Sequence, residues 1–284
     1  MTMNSRFQPL NRHTLSGVLL GAGLAAGACV VSATSAQAQT TNVFAGSWTM
    51  TIGAQARLLP QFEGAKTYRV RPMPIFSIRR TGAPTRFRAP DDGIRIGLVE
   101  VENVRVGAVG KFRGRRAESD AAALTGLGNV GFTAEIGGFA EIWASQNFRL
   151  SAEMRHGIGG HTGVLADVGA DLVMRPDTQW TLSVGPRLSW ANAEYNRTYF
   201  GVSRAQQAAG SRLALYSPGS GIRAFGVIGS ASYAVTPDWT VRAFARYDRL
   251  AGEVRKSPLV RTHGSPNQFS AGFGLSYSFS ADMR

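Results

Sequence analysis

The stretch Phe269-Ser270-Ala271-Gly272-Phe273-Gly274-Leu275-Ser276-Tyr277-Ser278-Phe279 alternates without a slip, apolar at every odd position and Ser or Gly at every even one. Successive side chains of a β-strand point to opposite faces, so this segment has one greasy wall and one small, wettable wall. Eight further stretches repeat the pattern: Trp48–Leu58, Val104–Arg113, Phe132–Trp143, Phe148–His156, Val164–Met174, Trp180–Trp190, Ile222–Ala234 and Trp239–Leu250. Three weaker ones, Tyr68–Arg80, Pro84–Ala89 and Ile94–Val101, bring the set to about twelve, with ten possible. The least secure is Tyr68–Arg80, because Pro72 and Pro74 cannot donate to a ladder. The expected fold is all-β: a transmembrane antiparallel β-barrel over residues 39–284.

The connections sort by length. Ala144–Asn147, Arg175–Gln179 and Val235–Asp238 are tight, and each is followed at once by an aromatic, Phe148, Trp180 or Trp239. The alternate connections, Gly114–Val130, Gly157–Gly163, Ala191–Gly221 and Ala251–Gln268, are longer. Neighbouring strands are antiparallel, so tight turns gather on one rim and long loops on the other. Outer-membrane barrels show this asymmetry, with short periplasmic turns and long external loops. All five tryptophans sit at strand ends. Trp48, Trp143, Trp180 and Trp239 map to the short-turn rim and Trp190 to the opposite one, as interfacial aromatics do. From Trp180 to Trp190 is roughly 33 Å of strand, or roughly 23 Å of height at a ~45° tilt, close to the ~25 Å apolar band of such barrels.

Residues 1–38 have the layout of a cleavable secretory signal: Arg6 and Arg12, an uncharged run from Leu15 to Val31, then Ala36-Gln37-Ala38. A retained anchor helix is the alternative. Cys29 lies inside that segment with Ala26, not Leu, three residues before it, which argues against lipidation. Beyond it the chain has no cysteine for a disulfide or thiolate site. Mean hydropathy is only −0.08, because a barrel places its hydrophobicity on alternate residues. The formal charge of +13, or +11 without Arg6 and Arg12, brings nucleic acid to mind. The arginines are spread along alternating strands and loops without an aromatic-basic motif. No nucleic-acid partner is therefore expected; outer-membrane lipid, anionic lipopolysaccharide or an Arg-lined lumen accounts for the charge.

No chemistry-bearing constellation stands out. Gly126-Leu127-Gly128-Asn129-Val130-Gly131 matches the dinucleotide fingerprint by spacing but is followed by the period-two run Phe132, Ala134, Ile136, not by a helix. His156, His161 and His263 are not at metal-ligand spacing. No serine lies in a nucleophile elbow. Catalytic, cofactor and metal sites are therefore expected to be absent.

The second half resembles the MltA-interacting protein/OmpV (MipA/OmpV) family of outer-membrane proteins. The residues that carry the resemblance are Leu124–Gly128, Gly159-Gly160-His161-Thr162-Gly163, Tyr195, Thr198-Tyr199-Phe200-Gly201-Val202, Leu213–Tyr216, Gly219–Gly221, Ser257-Pro258-Leu259-Val260 and Gln268–Phe279. It covers roughly 104–279, with a looser match at Tyr68-Arg69 and Pro72/Pro74. The resemblance implies an outer-membrane barrel without enzymatic activity. It also implies a scaffold in cell-wall remodelling, with a lytic transglycosylase and a peptidoglycan synthase as partners. Gly160, His161, Gly163, Tyr199, Phe200, Gly201, Val202, Ser257 and Pro258 are the family-motif residues, of unassigned role. A second class is a porin-like channel, with Arg149, Arg155, Arg187, Arg242 and Arg246 lining an anion-preferring lumen. A third, a membrane-embedded hydrolase, would rest on His161 with Asp167 or Asp171. The topology puts Gly160-His161 and Tyr199–Val202 on the long-loop rim, away from the periplasm. Either those loops fold back into the lumen, or the scaffold surface lies in the short turns.

Overall fold

The computed structural model describes residues 46–83 and 85–283, all within the second of the chain's two units, 44–284. The segment 1–38 read as an export signal lies outside the described residues. Among the described residues eleven strands form one antiparallel sheet. They are β1 (Gly46–Pro60), β2 (Tyr68–Arg80), β3 (Ile94–Val101), β4 (Val104–Arg113), β5 (Thr133–Trp143), β6 (Phe148–Gly159), β7 (Val164–Met174), β8 (Trp180–Ala191), β9 (Gly221–Ala234), β10 (Trp239–Leu250) and β11 (Asn267–Met283). The order is β2-β1-β11-β10-β9-β8-β7-β6-β5-β4-β3. The first and last strands pair from Gly46↔Met283 to Leu58↔Ala271, so Ser280 to Met283 continue the ladder past Phe279.

Alternation decides what each face meets. In β11, Phe269, Phe273, Leu275 and Phe279 are exposed on one face, while Gln268 and Ser276 on the other are buried. The same outward belt includes Val70, Phe76, Ile96, Leu98, Val106, Phe225 and Val227. An exposed apolar surface this extensive is a lipid-facing belt. No helix among the described residues is long and apolar enough to cross a membrane.

The strand count corrects the sequence reading at one place. Residues 85–89 of the expected strand Pro84–Ala89 are not strand. Instead Phe87 and Ala89 are buried and pack with Val173, and the Trp143 ring meets Phe87 edge-on at 6.4 Å. The reason is parity. Neighbours around the sheet alternate in direction, so β2 and β3 run the same way. The connector between them must climb from the short-turn rim, and it does so inside the lumen. The ladder does not join β2 to β3. Pro72 and Pro74 share one parity, so both missing donors fall on the side of β2 turned away from β1, the edge position where proline is tolerated.

A recurring device shapes three tight turns. Ser145 Oγ accepts from the N–H groups of Asn147 and Phe148 (3.3 and 3.1 Å). Asp177 Oδ1 accepts from Gln179 and Trp180 (2.8 and 2.7 Å). Thr236 Oγ1 accepts from Asp238 and Trp239 (3.3 and 3.0 Å). Each acceptor stands three residues before the aromatic that starts the next strand, so side chain and backbone fix the turn together. Pro186 interrupts the β7–β8 register between Gly169↔Arg187 and Leu172↔Val184. The Ala170 carbonyl there accepts from Arg187 Nη1 at 3.2 Å instead.

The unpaired seam has a measurable consequence. In detergent, the gap-facing amides of Ile94–Val101 should exchange with deuterium at least about tenfold faster than those of Trp180–Ala191, which has a ladder partner on each side. Equal protection of the two strands would mean that β2 and β3 are joined.

Candidate functional site: a charge-filled lumen under a sealed loop cap

The inward positions of β4 to β8 carry acids and bases at alternate residues. Arg149 donates from Nε to Glu141 (3.0 Å), from Nη1 to Asp171 (3.0 Å) and from Nη2 to Asp92 (2.7 Å). Arg155 bonds Glu135 (3.1 Å) and also pairs with Glu153 and Asp167. Arg95 on β3 reaches Glu141 (3.0 Å), Glu153 (2.7 Å) and Asp92 (2.9 Å). Asp91 binds Arg187 at 2.9 Å and Arg246 at 2.7 Å. Asp91 and Asp92 both come from the connector, so ion pairs to β3, β6, β8 and β10 hold it inside the barrel. Opposite the long guanidinium side chains the partner strand is thinned: Gly169 faces Arg187, and a Cβ there would lie 3.0 Å from Nη1.

This arrangement changes the electrostatic reading of the lumen. Of the five arginines expected to attract anions, Arg149, Arg155, Arg187 and Arg246 are matched to carboxylates, and Arg242 alone has no ion pair among the described residues. The free space among Asp91, Arg95, Lys111, Glu153, Arg155, Asp167, Arg187 and Arg246 is about 70 Å³, room for only a few waters. The acidic partners Glu135, Glu141 and Glu153 escaped the sequence reading, and Asp167 and Asp171 entered it only beside His161, not as partners of these arginines. Their signal was present, because each falls on the wettable parity of its strand, the parity that carries Arg149 and Arg155 on β6 and Arg187 on β8.

The family-motif residues lie above this network. His161 is buried. Its Nδ1 accepts from the Gly163 N–H at 3.1 Å, which leaves the ring proton on Nε2, 3.3 Å from Glu135 Oε1. Glu135 also accepts from Arg113 Nε at 2.7 Å. Both ring nitrogens of His161 are therefore occupied, and Asp167 is engaged by Arg155 and Ser189.

Two helices, α1 (Ala193–Phe200) and α2 (Arg204–Ala208), fold the Ala191–Gly221 loop inward. The side chain of Asn192 caps α1 by accepting from the Tyr195 N–H. This presents Tyr195 and Tyr199, with ring centroids 4.7 Å apart, edge-on to His161 at 5.1 and 5.6 Å. The Arg113 guanidinium lies 5.2 Å from the Tyr195 ring centre and 5.6 Å from that of Tyr199. Burial pushes the Tyr195 phenol up, so it remains a donor, and it gives its hydrogen bond to Glu63 at 2.5 Å. Glu63 also pairs with Arg223 and so ties the β1–β2 loop to β9.

Around these polar contacts the loops share an apolar core. Val130, Tyr195, Tyr199, Phe200, Leu250, Val254 and Val260 form one cluster. Phe62, Ala65, Leu124, Leu127, Val202, Leu213 and Leu259 form a second. Ser257 Oγ donates to the Phe200 carbonyl (2.7 Å), Pro258 precedes the π-turn Leu259–His263, and Val202 bridges to Tyr216. A Cβ on Gly160, Gly163 or Gly201 would lie 2.0, 2.5 or 2.5 Å from a neighbouring atom. The motif residues thus build the cap that seals the long-loop rim. The Gly126–Gly131 segment belongs to it: the N–H groups of Gly126 and Gly128 bind Glu118 (3.2 and 2.6 Å), an internal carboxylate.

The profile of the family described as MltA-interacting protein MipA matches residues 52–279. The chain belongs to the MltA-interacting protein MipA family. Two curated relatives, the MltA-interacting proteins of Escherichia coli (strain K12) and of Shigella flexneri, are each 39% identical over 80 residues. That stretch is 28% of this chain and 32% of each relative, so only about a third of their length is matched. Among solved structures, the NanC porin is similar over 81% of this chain and 98% of its own, at 9% identity and a TM-score of 0.39. The KdgM porin covers 81% and 99%, at 9% identity and a TM-score of 0.32. Membership, with the lipid-facing belt, places this barrel in the bacterial outer membrane.

The tryptophans divide. Trp180 and Trp239 are exposed on the lipid-facing parity, and Trp48 and Trp190 share that parity half-buried. Trp143 has the opposite parity: its Nε1 donates to Glu141 at 3.1 Å and its ring rests on Phe87, so it is a lumenal residue. Strand ends were legible in sequence, but Trp143 shares its parity with Glu135, Phe139 and Glu141, which face inward.

Glu135→Gln keeps the shape and removes the charge that Arg113 and Arg155 face. Arg155 keeps Glu153 and Asp167, so the loss is that of charge-assisted hydrogen bonds, about 1–3 kcal/mol, and the folded, heat-modifiable band should disappear at a lower temperature than in the parent. An unchanged transition would show that the network contributes no stability.

Proposed function

We propose that this protein is a non-enzymatic membrane anchor that displays its short-turn rim to the cell-wall machinery of the periplasm. In this role it joins a lytic transglycosylase to a peptidoglycan synthase. The observation that carries the proposal is the ion-paired stretch of lumen around Asp91 and Asp92. Carboxylate–guanidinium pairs and the inserted connector occupy that stretch, and the motif residues are spent on the cap, so neither reads as a solute path. What stays regular and exposed is the short-turn rim, where Ser145, Asp177 and Thr236 fix their turns through side-chain acceptors. Rigid turns cost little to order on binding. The name of the curated relatives, MltA-interacting protein, supports a lytic transglycosylase as the partner class.

Two measurements test this. Crosslinked envelope extract should yield a lytic transglycosylase with the tagged protein, and Gln146→Arg with Thr178→Arg on the exposed turn tips should abolish that capture. Capture that survives both substitutions, or no capture of any murein enzyme, would overturn the proposal. In planar bilayers the folded protein should give no discrete single-channel steps; regular steps would restore the channel reading.

A further inference from the structure

The β10–β11 loop bears a second feature that the cap does not use. It comprises a short helix, α3 (Gly252–Lys256), and the π-turn Leu259–His263. Its apolar residues Val254, Leu259 and Val260 are each 1% exposed, sunk into the cap. Ser257 is tied to Phe200, and the Ser265 N–H donates to the Gly64 carbonyl at 2.9 Å. The loop is therefore a rigid mount. On its free side lies a cleft of about 390 Å³ lined by Arg249, Arg255, Lys256, Val260, Arg261, Gly264 and Pro266.

Charge is handled here in the opposite way to the lumen. In the lumen the guanidinium groups of Arg149, Arg155, Arg187 and Arg246 meet carboxylates, whereas Arg249, Arg255 and Arg261 have no ion pair among the described residues. Lys256 has one, to Glu253 at 2.8 Å, and Glu253 is also held by the Tyr216 hydroxyl at 3.0 Å. Cations gathered on a rigid mount repel one another unless an external anion lies between them. Height in the membrane identifies the anion. Arg249 has the outward parity of β10, directly above Tyr247, which pairs with Phe269; both aromatics are 42% exposed at the upper edge of the apolar belt. The cleft thus sits on the long-loop rim at the level of the lipid headgroups.

We propose that this cleft binds the phosphorylated sugar head of lipopolysaccharide in the outer leaflet. Arg249, Arg255, Lys256 and Arg261 would meet its phosphates, and the acyl chains would lie along Tyr247, Phe269 and Phe273. Guanidinium forks suit phosphate, which they bind bidentately. Several phosphates on one amphiphile match several cations above an apolar wall; a single-phosphate lipid does not.

The test uses the full folded chain in detergent, with native mass spectrometry and titration of bisphosphorylated lipid A. The parent should retain lipid A, and Arg255→Glu with Arg261→Glu should weaken binding by at least about tenfold. A control with the same charge change on the exposed α2 segment, Arg204→Glu with Arg212→Glu, should stay within about twofold. Dephosphorylated lipid A should not bind, and phosphatidylglycerol at equal concentration should not compete. Equal binding by the cleft variant, equal loss in the control, or competition by phosphatidylglycerol would overturn the proposal. So would displacement by millimolar inorganic phosphate, which would make this a free-anion site. Should the glutamate pair fail to give a heat-modifiable band, Arg255→Gln with Arg261→Gln provides the same comparison.

Discussion

A charge shut away from water must face its opposite, and the interior of this barrel is organised by that requirement. Each inward arginine of β6 and β8 lies within reach of carboxylates from the adjoining strands, and Asp91 and Asp92 complete the set from the connector. The pairing need not make the barrel more stable than an apolar filling would, because desolvation offsets much of the Coulomb attraction. It does specify which strand lies beside which, since a one-residue slip would turn every charge of a strand toward lipid. The connector follows from the same requirement. A chain segment crossing the lumen has backbone and side-chain polar groups to satisfy, and Arg57, Arg88 and Lys111 donate to its Pro90, Gly93 and Asp91 carbonyls.

The cap solves a related problem at the long-loop rim. Loops that stayed in solvent would leave the upper lumen wet and weaken the ion pairs beneath. Here they fold inward around Tyr195, Tyr199 and Phe200, and His161 joins that aromatic layer to Glu135 below. His161, Gly163, Tyr199, Phe200, Val202 and Ser257 are buried in this layer. Of the two placements open from the sequence, the loops take the first: they return over the lumen.

Much of the fold was legible in the residues themselves. Period-two alternation, tight turns ending on aromatics and the sorting of short from long connections placed ten of the eleven strands to within a few residues, and Tyr68–Arg80 also formed despite Pro72 and Pro74. The failure at Pro84–Ala89 is informative. Arg86, Phe87 and Arg88 are locally compatible with a strand, and nothing local reports that β2 and β3 run in the same direction. Only the closure of β1 on β11 sets that parity.

Local chemistry determined the two walls of each ribbon, because the pleat assigns alternate side chains to opposite faces wherever the strand lies. Hence the membrane, the strand class and the rim of each turn followed from the chain alone. Which wall a given residue served, and with whom, was a tertiary matter. Trp143 went inward with Glu141, four of five candidate pore arginines were neutralised, and His161 was spent on Glu135. Pairing partners come from strands far apart in sequence, and an ion pair exists only where the curl of the sheet brings both charges to one height in the lumen.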